Sequence, residues 1–173
     1  NPIHLQIGAL INECRIKGVD LSLITTNYDV GVELAVELQL QNSAPGIAGY
    51  NNVFTSIINK NDIHHARECQ TRLFKPHGSI NVPGSFVFDY EREFTLTPWK
   101  KAYLQELLSG KTLLVVGYSG WDLDIADALL NCNLESIVWC RRDADDSDIA
   151  TWSPSAAHLM ESVYNSYIVN TNF

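Results

Sequence analysis

The sequence predicts an α/β protein, with helices packed around a mostly parallel sheet. Short apolar runs alternate with longer helical segments along the chain, as in successive β-α-β units. Polar motifs directly follow three of the apolar runs, at residues 25–29, 76–79 and 117–120. Because ligands bind beyond the carboxyl ends of parallel strands, we expect these motifs to line one site.

Apolar residues at helical spacing, together with helix-stop signals, define the predicted helices. In the first helix, Ile3, Ile7 and Leu10 recur at this spacing, and Gly18 follows the last turn. In the helix predicted over residues 98–108, Pro98 in the first turn and Gly110 beyond the end mark the bounds. The predicted helices are residues 2–17, 30–40, 98–108, 122–130 and 154–164.

Short β-prone runs predict the strands, as expected where a strand is buried on both faces of a sheet. These strands are residues 21–25, 72–75, 112–116, 136–140 and 167–169. Residues 85–90 are a candidate for a further strand or hairpin, because Phe86, Val87 and Phe88 are strongly β-prone. Residues 42–61, between the second helix and the second strand, are rich in Asn, Gly, Ser and Pro and predict a loop or a small excursion from the core.

Size, charge and cysteine usage restrict the possible classes of function. The 173 residues are the size of one domain with a buried core, so we predict a single domain, residues 1–173. A net charge of −8 argues against nucleic-acid and membrane partners. No run is long enough to cross a bilayer, no signal-peptide pattern is present, and the 4 cysteines form no C-x-x-C pair. We therefore expect a cytoplasmic protein with no disulfide framework and no four-cysteine zinc site.

The first two motifs each have a structural and a functional interpretation. Asn27 or Asp29 either caps the following helix or hydrogen-bonds a sugar or amide in the crevice. His77 is either an ordinary turn residue or a general base, since an unperturbed imidazole titrates near neutral pH. Gly78 would allow the backbone or a ligand to come close.

The third motif, residues 117–120, opens a helix after the clearest strand. Such turns direct backbone N–H groups at phosphate or ribose oxygens, although this spacing matches neither the dinucleotide nor the Walker pattern. Capping and the helix dipole account for Asp122 and Asp124 near the start of that helix. A nucleophile elbow at Ser119, with Asp143 and His158, is an alternative, but Trp121 replaces the last glycine of that motif. A metal site is another alternative, with the candidate ligands His64, His65, Cys69 and His77. The spacing of these residues matches no common zinc pattern.

Taken together, the motifs T-T-N-Y-D, K-P-H-G-S and V-G-Y-S-G-W-D-L-D-I resemble the sirtuin-like NAD-hydrolase family of bacterial defence proteins. Protein-deacylating sirtuins carry T-Q-N-I-D, H-G and G-T-S in the same order. The resemblance implies a Rossmann-like, three-layer α/β/α fold, with a six-stranded sheet that binds NAD at its switch point. It also implies that the chain is a fragment of a longer protein, because the family's first strand and its glycine-rich loop are missing from the sequence.

The resemblance implies a role for each motif residue. Asn27 would position the water or ribose hydroxyl that attacks the anomeric carbon, and His77 would be the general base. Asp29 would hold the nicotinamide side of NAD, while Gly117 and Ser119 would contact the adenosine half. Three further residues of these motifs are assigned to nucleotide binding: Thr26, Gly78 and Asp122.

The function implied is hydrolysis of NAD to nicotinamide and ADP-ribose, with NAD as substrate and without a metal. We expect the chain to be the effector part of a larger, homo-oligomeric antiphage defence or stress protein. Deacylating sirtuins carry a four-cysteine zinc module, whereas the segment from His77 to Thr112 has no cysteine, which favours hydrolysis. The alternatives are a non-catalytic NAD or ADP-ribose sensor, an NAD-dependent deacylase or ADP-ribosyltransferase, and a degenerate structural domain.

Overall fold

Parallel strands joined through helices make up both parts of the chain. The computed structural model describes residues 2–43, 53–86, 95–141 and 152–170. The chain forms two compact units, Asn1–Val87 and Phe88–Phe173, and each contains a three-stranded sheet. All the strand pairs within these ranges are parallel, which confirms the predicted Rossmann-like α/β class. The single domain remains a prediction.

In the first unit, the three strands end together at one edge of the sheet. The elements are α1 (Pro2–Lys17), β1 (Leu21–Ile24), α2 (Gly31–Ser43), β2 (Phe54–Ile57), α3 (Asp62–Ala66) and β3 (Thr71–Phe74). The strand order is β1-β3-β2, so β3 is central. Phe74, the last residue of β3, is in register with Ile24 of β1 and Ile57 of β2. The segments that follow β1 and β3 therefore leave the sheet at the same level.

The helices α1 and α2 cross closely and enclose the core of this unit. A Cβ atom added to Gly8 of α1 would lie 2.8 Å from the carbonyl oxygen of Ala35 in α2, which is closer than real contacts allow. Gly18, with φ +67°, follows α1 and confirms the predicted stop signal. The fully packed core residues of these helices are Ile11, Val36 and Leu40.

The second unit repeats the alternation of strand and helix. Its elements are α4 (Pro98–Leu108), β4 (Thr112–Val116), α5 (Leu123–Leu130), β5 (Ser136–Arg141), α6 (Pro154–Ser162) and β6 (Ser166–Asn170), with strand order β4-β5-β6. Trp139 is buried on the central strand. Its ring lies 6.1 Å from that of Tyr118 and 5.1 Å from that of Trp152. These aromatic side chains pack beside the turn that follows β4.

The structure corrects the prediction of a loop over residues 42–61. Residues 54–57 form β2, which pairs with β3, and Asp62 closes the turn after it by accepting hydrogen bonds from the backbone N–H groups of Ile58 and Asn59 at 2.9 and 2.7 Å. The polar composition of the surrounding residues obscured this short strand. Of the candidate strand 85–90, residues 85 and 86 are irregular, and residues 87–90 lie outside the described part of the chain.

Candidate functional site

The segment after β1 places Asn27 at the carboxyl edge of the first sheet. The backbone N–H of Thr25 donates to the carbonyl of Phe74 at 3.0 Å, which extends the pairing with β3 by one residue. The Thr25 hydroxyl oxygen then accepts the backbone N–H of Asn27 at 3.2 Å. Thr26 is half-buried, and Asn27 is exposed. The Asn27 amide is therefore accessible to a solute at this edge.

Asp29 anchors the start of α2. Its Oδ1 accepts the backbone N–H of Gly31, the first residue of the helix, at 2.7 Å. The imidazole Nε2 of His4, from α1, lies 3.9 Å from the same oxygen. The bond from Gly31 to Asp29 satisfies one of the N–H groups that the first turn of a helix leaves unpaired. Of the two interpretations of this motif, the structural one thus applies to Asp29, and its predicted contact with nicotinamide remains a prediction.

The segment after β3 presents His77 on a tight turn. The backbone N–H of Gly78 donates to the carbonyl of Lys75 at 3.1 Å, and His77 between them is half-buried. Gly78 has φ +100°, and a Cβ atom there would lie only 2.3 Å from the carbonyl oxygen of Ser85. The expectation that Gly78 permits close approach of the backbone is confirmed. Its contact with a ligand remains a prediction.

Several contacts join the segment after β1 to the segment after β3. The backbone N–H of Ile80 donates to the carbonyl of Tyr28 at 2.8 Å. The ring of Tyr28 lies 6.3 Å from that of His77 and 5.4 Å from that of Phe86. The first unit therefore brings Asn27 and His77 to neighbouring positions on one sheet edge, and neither is enclosed in packed hydrocarbon.

In the second unit, the turn after β4 has one open and one packed half. Gly117 and Ser119 are exposed, and nothing lies within 4 Å of a Cβ atom added to Gly117. Gly120 is buried, and its carbonyl accepts the hydroxyl of Ser153 at 2.6 Å. A Cβ atom on Gly120 would lie 2.6 Å from the Cβ of Ala156 in α6. The packed half fixes the turn, and the open half leaves its backbone accessible.

Asp122 occupies the N-cap position of α5, but its side chain makes no capping hydrogen bond. The sequence-based explanation by capping is therefore wrong for this side chain. The backbone carbonyl of Asp122 accepts the backbone N–H of Ala126 at 2.9 Å, as in a regular first turn.

Burial, followed by the negative charges of Asp122 and Asp124, raises the pKa of the Tyr118 phenol. That hydroxyl is therefore protonated at neutral pH.

A family model described as a SIR2-like domain matches residues 21–136, more than half of the chain. The chain belongs to the SIR2-like family. The match begins at the first residue of β1 and ends at the first residue of β5, so it contains all three strand-end motifs. No curated protein and no solved structure matches the chain.

SIR2-like membership indicates an NAD-related, sirtuin-type function, which agrees with the resemblance found in the sequence. It carries no information on the individual residues. The catalytic roles of Asn27 and His77 remain predictions, as do the nucleotide-binding roles of Thr26, Asp29, Gly78, Gly117, Ser119 and Asp122.

The other sites considered from the sequence receive no support from the described residues of the SIR2-like chain. Within them, no group of three or more His, Cys, Asp or Glu side chains is placed to hold a metal ion. In the alternative triad, Ser119 and His158 are exposed, and Asp143 lies outside the described residues. No helix in the described ranges is long and apolar enough to span a membrane.

The buried polar contacts of Lys75 at this edge of the sheet were not predicted from the sequence. The sequence predicts Lys75 at the end of a strand, whereas β3 ends at Phe74 and the Lys75 side chain is fully buried. Its ammonium group donates to the carbonyl oxygen of Asp29 and to Glu33. The sequence does carry one signal of this contact, since Lys75 lies between the apolar end of a buried strand and the H-G turn. A lysine at such a position is buried, and a buried charge requires a partner.

Proposed function

We propose that this SIR2-like chain hydrolyses NAD at the bond between nicotinamide and ribose. The observation that supports the proposal is the joining of the two strand-end segments, by the hydrogen bond from Ile80 to Tyr28 at 2.8 Å. It keeps the amide of Asn27 and the imidazole of His77 on one sheet edge. A side-chain amide and an imidazole are the groups that can orient and deprotonate a water molecule.

In the proposed reaction, the water oxygen forms a bond to the anomeric carbon of the ribose. The bond from that carbon to nicotinamide breaks, and its electron pair goes to the ring nitrogen. Nicotinamide thereby leaves as a neutral molecule and needs no proton from an acid. Asn27 orients the water, and His77 accepts its proton as positive charge develops on the ribose.

The proposal assigns the adenosine half of NAD to the turn after β4. Gly117 and Ser119 support this assignment because both are exposed, and the open space beside Gly117 leaves its backbone accessible. Backbone N–H groups at the start of a helix bind phosphate and ribose oxygens. Thr26, Gly78 and Asp122 are proposed as further contacts with the nucleotide.

The test is NAD consumption and nicotinamide release by the full-length protein, measured by chromatography. We expect Asn27→Ala and His77→Ala each to lower turnover, by about 100-fold or more for the general base. Asn61→Ala and His64→Ala are matched controls, because both residues are exposed in the same unit and Asn61 makes no capping bond. Unchanged turnover in both site variants would remove the assigned roles.

A second candidate is a module that binds ADP-ribose without cleaving NAD. The capping bond of Asp29 favours it, because a carboxylate already engaged with Gly31 is less available to the nicotinamide side of the ligand. Calorimetry with ADP-ribose, combined with the assay of NAD consumption, distinguishes the two. Binding of ADP-ribose with no loss of NAD over several hours identifies a sensor, whereas release of nicotinamide identifies a hydrolase.

We further propose that the chain serves as the cytoplasmic effector of a larger, homo-oligomeric antiphage defence or stress protein. Depletion of NAD would then be the means by which it acts. Cells carrying the full-length protein are expected to lose NAD after phage infection, and cells carrying the His77→Ala variant are expected to keep it. Equal NAD content in both would contradict the effector role.

A further inference from the structure

Lys75, directly after β3, is a fully buried cation with every donor engaged. Its ammonium nitrogen lies 2.8 Å from the hydroxyl oxygen of Ser79 and 3.1 Å from Oε1 of Glu33, and it also donates to the carbonyl oxygen of Asp29. A lysine has three N–H donors, so these acceptors use all of them. The acceptors belong to the segment after β1, the first turn of α2 and the segment after β3.

Glu33 supplies the compensating charge, but the pair is not arranged for greatest stability. Its Oε1 also accepts the hydroxyl of Ser56 on β2 at 3.3 Å. Its Oε2 is buried and has no hydrogen-bond partner among the described residues. Apolar residues of similar volume often replace a buried ion pair without loss of stability. The position of the pair, rather than its contribution to stability, therefore indicates its role.

We propose that Lys75 is a positioning residue that fixes the spacing between Asn27 and His77. The inference rests on the proposed function, since it takes these two side chains as the catalytic ones. Lys75 precedes His77 by two residues, and its acceptor Asp29 follows Asn27 by two. One nitrogen atom thus holds the backbone beside Asn27 and the hydroxyl of Ser79 beside His77.

Other contacts also join the two segments. The backbone bond from Thr25 to Phe74 extends the pairing at the sheet, and Tyr28 contacts Ile80 through a backbone bond and the ring of His77 at 6.3 Å. Lys75 adds a buried, charged attachment to these contacts. Displacement of a reacting group by about 1 Å can lower a rate by about 100-fold, so this attachment matters for turnover.

The test compares two double variants of the full-length protein, each of which removes one ion pair and no net charge. Lys75→Met with Glu33→Gln removes the buried pair, and the near-isosteric side chains preserve its volume. Lys101→Met with Asp127→Asn removes an exposed pair of 2.8 Å in the second unit and is the matched control. We expect the first to lower kcat about 10- to 100-fold with KM changed less than about threefold, and the control to match the wild type.

A readout independent of catalysis is the nuclear magnetic resonance signal of the His77 ring, assigned by comparison with His77→Gln. Loss of Lys75 is expected to shift this signal, whereas the control double variant leaves it in place. If NAD is not cleaved at all, the proposed function fails, yet the ring signal still tests the positioning role. Ser79→Ala, which removes one of the three bonds, replaces the first double variant if that protein does not fold.

Two results would overturn the inference. One is a folded variant lacking the Lys75 contacts whose His77 signal and kcat both equal those of the wild type. The other is an equal loss of kcat in the control double variant, which would show that the effect is not specific to this pair. A shifted His77 signal, with kcat lowered wherever NAD is cleaved, supports Lys75 as the positioning residue.

Discussion

Gly78 and Gly84 allow a sharp test of the turn that presents His77. Both have positive φ, +100° and +80°, so replacement by alanine forces each into a backbone conformation that L-residues rarely adopt. They differ in their surroundings. A Cβ atom at Gly84 meets no atom within 4 Å, whereas one at Gly78 would lie 2.3 Å from the carbonyl oxygen of Ser85. The pair therefore separates backbone strain from steric conflict.

The size of the difference follows from these distances. Positive φ costs alanine about 1–2 kcal/mol at either site. Ordinary contact begins near 3.4 Å, so relief of the 2.3 Å approach requires a shift of about 1 Å. Hydrogen bonds from Ser85 to Val82 and from Ser79 to Ser85 resist this shift. Overpacking of this kind costs about 1–3 kcal/mol, so we expect about 2–5 kcal/mol for Gly78→Ala and about 1–2 kcal/mol for Gly84→Ala.

Urea unfolding followed by far-ultraviolet circular dichroism measures both free energies. Tryptophan fluorescence would not report on this unit, because all 4 tryptophans lie in the second one. Hydrogen exchange at backbone amides of β3 confirms that the loss is local. Equal destabilisation by the two substitutions would refute the reasoning, because it would mean that Ser85 does not restrict Gly78.

Three other predictions concern stability. Gly120→Ala should cost about 2–5 kcal/mol and Gly117→Ala about 1–2 kcal/mol, because only Gly120 faces α6, and tryptophan fluorescence during unfolding measures both. Asp29→Ala should cost about 0.5–2 kcal/mol by loss of the bond to the first turn of α2, and Asp29→Asn, which keeps the acceptor, should cost less by thermal unfolding. Burial raises the pKa of Cys132 from 9.0 to about 11, so the folded thiol stays protonated where the unfolded one ionises. The contribution of this thiol to stability should therefore be constant below about pH 8 and fall between about pH 9 and pH 11, by roughly 1 kcal/mol for this half-buried group, and Cys132→Ala should abolish that part of the slope.

Elements with strong local signals could be predicted from the sequence. The helix Pro98–Leu108 and the strand Thr112–Val116 have the predicted bounds, since proline and glycine mark the ends of one and a continuous apolar run defines the other. The strand Phe54–Ile57 was missed because its stability comes from pairing with β3 rather than from its own composition. Local propensity cannot reveal such pairing.

The candidate site shows the same division. The positions of Asn27 and His77 could be predicted, because parallel topology by itself brings neighbouring strand ends to one edge. The contact between Lys75 and Glu33 could not, since it joins residues 42 positions apart and depends on how α2 lies against the sheet. The side chains proposed to act could thus be predicted from the sequence, whereas the one proposed to hold them in place could not.

Anchoring and exposure are separated in the same way in both units. In the first, buried Lys75 fixes the backbone while Asn27 remains exposed. In the second, buried Ser153 caps α6 through the backbone N–H of Ala156 and also holds the carbonyl of Gly120, while Ser119 remains exposed. A binding group needs a fixed backbone and an accessible side chain, and one residue seldom provides both. Substitutions at the anchors should therefore act through their neighbours, whereas substitutions at Asn27 or Ser119 should remove a contact and leave the backbone in place.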